Sequence, residues 1–173
     1  MSSPNLFQAS FGTPFLLRMA HWILLVFAFC LIPDVFAADD VQTMVVVGSD
    51  FPSTREALIE AIEAEGLVVS ASIPFNDMLA RTAHDLARTA SPFAHAQIIQ
   101  FCSSVLAWQL LSEDVTQVAL CPLSISVFAT TAEPDKVILA YRLPGQATPA
   151  RRKAESLLQR LVQRSAELAR LRW

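Results

Sequence analysis

The sequence predicts an α+β domain, a mostly antiparallel sheet with helices on one face that ends in a long C-terminal helix. Three observations lead there. Strand-like and helix-like patterns follow one another as strand, helix, strand, helix, strand, helix, strand, strand, helix, which is not the regular alternation of a parallel fold. Leu123, Ile125 and Val127 alternate with Ser124, Ser126 and Phe128, the mark of a sheet with two unlike faces. From Thr148 to Arg172, Ala154, Leu157, Leu158, Leu161, Val162, Ser165, Leu168 and Ala169 share one helical stripe, opposite Arg152, Glu155, Gln159, Arg160, Gln163, Arg164, Glu167 and Arg170. Such a stripe needs a surface to cover it.

The chain opens on an address. Trp22 to Ile32 (WILLVFAFCLI) is an apolar run of signal-peptide length preceded by Arg18, and Val35-Phe36-Ala37 offers small residues at the cleavage positions before Ala38. Residues 1–37 read as a secretory signal and imply a periplasmic or secreted protein that meets the membrane only in transit. A retained anchor is the alternative, but Arg18, His21 and Asp34 interrupt the longer apolar stretch and Pro33 breaks it. Cys30 follows Phe29, which does not suit lipid attachment.

The domain is expected over residues 38–147, with residues 148–173 as an amphipathic helix packed on it. Thr43 to Val47 reads as a strand ended by Gly48-Ser49-Asp50. Ser53 then caps a helix with Glu56 completing a capping box; Ala57, Leu58, Ala61 and Ile62 form its apolar face, and Gly66 ends it. Leu67 to Phe75 is a strand whose Pro74 marks an edge or exit. Asn76 to Ala87 has helical spacing and starts on capping residues, and Gln97 to Cys102 returns to strand after the Ser91-Pro92 loop. Ser103 or Ser104 caps a short helix from Val105 to Leu111. Val118 to Ala129 is expected as strand, and Lys136 to Leu143 as its hairpin partner across Glu133-Pro134-Asp135.

Composition excludes several chemistries. The 173 residues hold four glycines, Gly12, Gly48, Gly66 and Gly145, too far apart for a phosphate-cradling or dinucleotide loop. With three Cys, three His, no C-x-x-C, no H-E-x-x-H and no G-x-S-x-G, the common zinc sites and the hydrolase elbow are absent too, and no cofactor is expected. The net charge of −3 hides an asymmetry: Arg151, Arg152, Lys153, Arg160, Arg164, Arg170 and Arg172 make the tail basic, while residues 38–147 are acidic. An acidic body argues against a nucleic-acid partner. The economical reading of the basic helix is that its apolar stripe meets the sheet while its arginines face solvent or that body.

Three segments together carry a family resemblance: Ile62 to Leu67 (IEAEGL), Ile73 to Leu79 (IPFNDML), and Gln100-Phe101-Cys102-Ser103 followed by Cys121-Pro122-Leu123-Ser124-Ile125-Ser126-Val127. Over roughly residues 43–143 the chain resembles the domain of unknown function 302 family. The resemblance implies a helix-grip or TATA-binding-protein-like architecture, in which a curved antiparallel sheet holds a long C-terminal helix. It brings no established activity. Many members read Leu-Pro-Cys before the fourth strand where this chain has Cys121-Pro122, so no role for that cysteine carries over.

Cys102 and Cys121 are the most informative pair. In an oxidising compartment they read as a disulfide worth about 3 kcal/mol, as two buried free thiols, or as a redox or metal pair. A disulfide requires the two strand ends to meet, as antiparallel pairing would bring about. His84 and His95 with a Cys or Met78 could ligate a soft metal, but their spacing matches no ligand motif and surface histidines are the simpler reading. Asp77 reads as a helix cap rather than an acid, and Asp85 has no stronger claim to catalysis. Phe101, Trp108, Phe128 and Tyr141 are candidates to line an apolar pocket between sheet and helix, with core packing as the plainer account. The expected function is an exported, non-enzymatic module that binds a small apolar ligand or a protein partner. Thiol redox or metal handling through Cys102 and Cys121 is the alternative.

Overall fold

The computed structural model describes residues 40–172. The leader at 1–37, with Cys30 and the Val35-Phe36-Ala37 cleavage signal, lies outside the described residues. Among the described residues no helix is long and apolar enough to cross a membrane.

The α+β class holds. Strands β1 (Val41–Val46), β2 (Val68–Ile73), β3 (Phe93–Cys102), β4 (Leu123–Thr130) and β5 (Val137–Arg142) form one sheet in the order β1-β5-β4-β3-β2, antiparallel at every pairing. Helices α1 (Phe51–Ala64), α2 (Phe75–Thr82), α3 (Ser104–Glu113) and α4 (Pro149–Arg170) accompany it. β2 is an edge strand left through Pro74, as that proline implies, and β4 with β5 makes the expected hairpin.

Local chemistry explains where the boundaries fall. Asp50, not Ser53, caps α1: its carboxylate accepts the Ser53 N–H at 2.8 Å, and Pro52 stands in the first turn, where a missing N–H costs nothing. Gly66 ends the helix at φ +73°, with its N–H donating to the Glu63 carbonyl at 2.9 Å and the Leu67 N–H to that of Ile62 at 3.2 Å. Helix α2 stops at Thr82, whose hydroxyl bonds back to the Met78 and Leu79 carbonyls; a 3-10 turn at His84–Leu86 follows. Strand β3 begins at Phe93, four residues before the expected Gln97, because its pairing with β4 continues to Thr130 through an irregularity between Phe93 and His95. Val115–Leu120 is a 3-10 segment rather than the start of a strand. The Asp114 carboxylate accepts the Thr116 N–H at 2.8 Å there, and this local cap overrides the strand-like composition.

One core joins the layers. Ile99 and Phe101 of β3, Ile125 and Val127 of β4 and Leu139 of β5 are fully buried with Leu58 and Ile62 of α1 and Leu158 and Leu161 of α4. α1 and α4 lie against each other, and ion pairs of Arg172 with Glu56 (3.0 Å) and Glu60, and of Arg160 with Glu65 (3.7 Å), join the basic helix to the acidic one. Exposed pairs of this kind add little stability, so apolar burial holds the two helices together. Phe128 alternates with the core residues Val127 and Ala129 and therefore belongs to the sheet's second face. Its ring meets Phe93 at 5.5 Å, and Phe93 meets Phe75 of α2 at 6.2 Å.

The start of α4 is fixed by a polar network. The Thr148 hydroxyl accepts the Arg151 N–H, and Glu113, at the end of α3, accepts the Ala150 N–H at 2.9 Å. Gln117, only 2% exposed, donates to Glu113 at 3.4 Å and accepts from Arg151 Nε at 3.1 Å; Arg151 also donates to the Pro144 carbonyl. Thr148, then Ala150, Gln117 and the positive charge of Arg152 hold the Glu113 carboxyl below its ordinary value near 4.5.

Two outcomes follow. Leu161→Ala should lower stability to urea by about 2–5 kcal/mol, since it empties a fully buried site between layers; a change within error would show that the stripe is not the packing surface. Because the folded-state value of Glu113 is depressed, its contribution is complete above the ordinary carboxyl range and is lost as pH falls through the folded value. Between about pH 6 and about pH 3 the Glu113→Gln variant should therefore lose less stability than the parent chain, as urea midpoints will report.

Candidate functional site

Antiparallel pairing of β3 and β4 sets the two cysteines at the same end of the sheet. Phe101 pairs with Leu123, so Cys102 at the end of β3 and Cys121 just before β4 are neighbours across the sheet's end. Both thiols are free, and the Cys121–Pro122 bond is cis. Their surroundings differ. Cys121 is half-buried against the core, whereas Cys102 alternates with buried Phe101 and is exposed. Burial pushes the Cys121 thiol up, and the neighbouring Cys102 pushes it further.

The other candidates scatter. His84 is exposed on its 3-10 turn, 3.6 Å from Asp85, while His95 stacks on Phe51 with ring centroids 4.9 Å apart. Met78 lies on α2, which follows the Ile73 end of β2, whereas Cys102 pairs with Val68 at the other end of that strand. Among the described residues no group of three or more His, Cys, Asp or Glu is arranged to hold a metal. Asp77 does not cap α2: Pro74 occupies the cap position, and Asp77 stands in the first turn, where the helix dipole favours a carboxylate.

Nor do the four aromatic residues surround one space. Phe101 is wholly buried in the core, Phe128 faces the other side of the sheet, and Tyr141 is half-buried on a cleft of about 380 Å³ beside Ser124, Ser126 and Arg142. Burial of that kind raises the Tyr141 hydroxyl, with Glu155 adding to the rise. Trp108 is 72% exposed. The reason is angular: α3 buries Leu106 and Leu110, one turn apart, and Trp108 midway between them must point away.

A different site emerges between α3 and α4. The groove there has a volume of about 590 Å³, within the roughly 300–1,000 Å³ of small-molecule sites. Val105, Leu106 and Gln109 form one wall, Ser156 and Leu157 the other, and Leu67 contributes below them. Arg152, Lys153 and Arg160 line it too, against a single carboxylate, Glu65. Val105 is 69% exposed. Arg152 and Arg160 stand on the polar face that the sequence assigns to α4, but nothing local says that α3 lies opposite.

Alkylation rates test the contrast between the thiols. At mildly alkaline pH, Cys102 should react severalfold faster with iodoacetamide than Cys121, as peptide mass mapping over time will show. Equal rates would mean that Cys121 is not shielded as described.

With this geometry in hand, known proteins place the chain. A family description, "Domain of unknown function DUF302", matches residues 43–168 and so takes in most of α4, beyond the stretch that the sequence motifs cover. The crystal structure of the uncharacterized conserved protein DUF302 from Bacillus stearothermophilus is similar at a TM-score of 0.59 and 17% identity, covering 73% of this chain and 98% of that one. At that identity the likeness speaks for the fold. No curated protein matches. With more than half of its length matched, from β1 through the long helix that closes the core, the chain belongs to the DUF302 family.

Proposed function

We propose that the protein is an exported, non-enzymatic binding module that takes a small molecule with an apolar surface in the α3–α4 groove. The observation that carries this is the groove itself: Val105, Leu106, Leu157 and Leu67 offer apolar surface in a concave site of about 590 Å³. The space between sheet and helix is occupied by Phe101, Ile99, Leu158 and Leu161, so the ligand binds outside the core. Export rests on the apolar run Trp22 to Ile32 and the small residues before Ala38.

Thiol exchange at Cys102 is the second reading, supported by the exposure of that thiol beside a second free one. It predicts redox behaviour lost in Cys102→Ser and untouched by changes in the groove.

A neutral fluorescent probe, N-phenyl-1-naphthylamine, tests the groove. It should bind saturably with one site per chain, and Val105→Asp should weaken it by about tenfold, the effect of setting a charge against an apolar ligand. Because Val105 is exposed, its replacement should leave thermal unfolding unchanged. Probe binding that ignores Val105→Asp would remove the groove as the site.

A further inference from the structure

Resting on the groove reading, we infer that the ligand is a single-chain amphiphile with a carboxylate head, its tail on the apolar wall and its head on Arg152, Lys153 and Arg160. The charge balance points there. Three cations and one carboxylate line a groove whose remaining walls are apolar or neutral, in a chain that is acidic as a whole. An anion with an apolar tail complements both parts of such a lining.

The partners that these cations already have are weak competitors. Arg152 donates to the Gln146 backbone carbonyl at 2.8 Å and Lys153 to the Gln109 amide oxygen at 3.1 Å, both neutral acceptors. Glu113 feels the charge of Arg152, but its own oxygens are engaged with Ala150 and Gln117. Arg160 faces Glu65 across 3.7 Å, with the two side chains 55% and 42% exposed, a long and solvated pair. A carboxylate that also brings apolar contact takes Arg160 from Glu65 at little cost, since exposed pairs hold weakly. Glu65 thus acts as a placeholder for the ligand head. The Val105 side chain, open to solvent in the free protein, lies on the wall that the tail would cover.

Displacement of N-phenyl-1-naphthylamine from the purified protein by monomeric dodecanoate, dodecanol and dodecyltrimethylammonium distinguishes the possibilities. Dodecanoate should compete about tenfold better than dodecanol, and the ammonium worst. Arg152→Gln, Lys153→Gln and Arg160→Gln together should bring dodecanoate down to the dodecanol level, and Glu65→Gln should improve dodecanoate alone. These side chains are on the surface, and unchanged thermal unfolding of each variant will confirm that the fold is intact. Equal competition by dodecanoate and dodecanol would overturn the carboxylate inference and leave the groove reading standing. If the probe binds at the groove and none of the amphiphiles displaces it, the amphiphile itself is excluded. Binding to phosphatidylglycerol vesicles without competition by monomeric dodecanoate would overturn the inference in favour of a membrane surface.

Discussion

The structure depends on how the apolar stripe of α4 is covered. Leu158, Leu161, Val162 and Ala169 find their cover on α1 and the sheet, and the sheet order makes this necessary. β1 and β2 are consecutive strands at opposite edges, so α1 must cross the sheet between them and cannot shield its whole face. The long helix fills what α1 leaves. α3 joins the same core beside α4 with two buried leucines, Leu106 and Leu110. A groove remains because α3 buries so little of itself.

What could be read from the sequence follows the range of the forces involved. The α4 stripe, the Gly66 stop and the β4–β5 hairpin depend on neighbours within a few residues, and each stands where periodicity and turn chemistry put it. Ser53 and Asp50 compete for one cap within three residues, and only the backbone decides between them. Val115 to Leu120 looks like strand by composition, but Asp114 imposes a turn. Strand order lies beyond any local signal, and the groove depends on it: Arg152 and Arg160 read as a solvated face until α3 is brought alongside. Gathering aromatic residues into a pocket failed as a guide for a related reason. Size and apolarity say that Phe101, Trp108 and Phe128 seek contact, not which side of the sheet or helix provides it.

The charge asymmetry resolves into two separate roles. Toward its C-terminus, α4 answers the acidic α1 through Arg172, and near its middle Arg160 does the same at longer range. Toward its N-terminus, Arg151 serves the buried Gln117 and the Pro144 carbonyl, while Arg152 and Lys153 turn to the groove with neutral partners. One basic helix thus divides its charges between partners within the fold, Arg151 and Arg172 among them, and a groove where Arg152 and Lys153 have only neutral acceptors.

The contact between Glu113 and the Ala150 N–H has a mechanical meaning as well as a capping one. It ties the last residue of α3 to the first turn of α4, and the Gln109–Lys153 bond adds a second tie one turn along. The two helices are thereby pinned together at the Glu113 end, and the groove lined by Val105 and Arg160 lies beyond these ties. Leu106 and Leu157, which line that groove, are also buried members of the core, so its width is set by the same packing that holds the fold together.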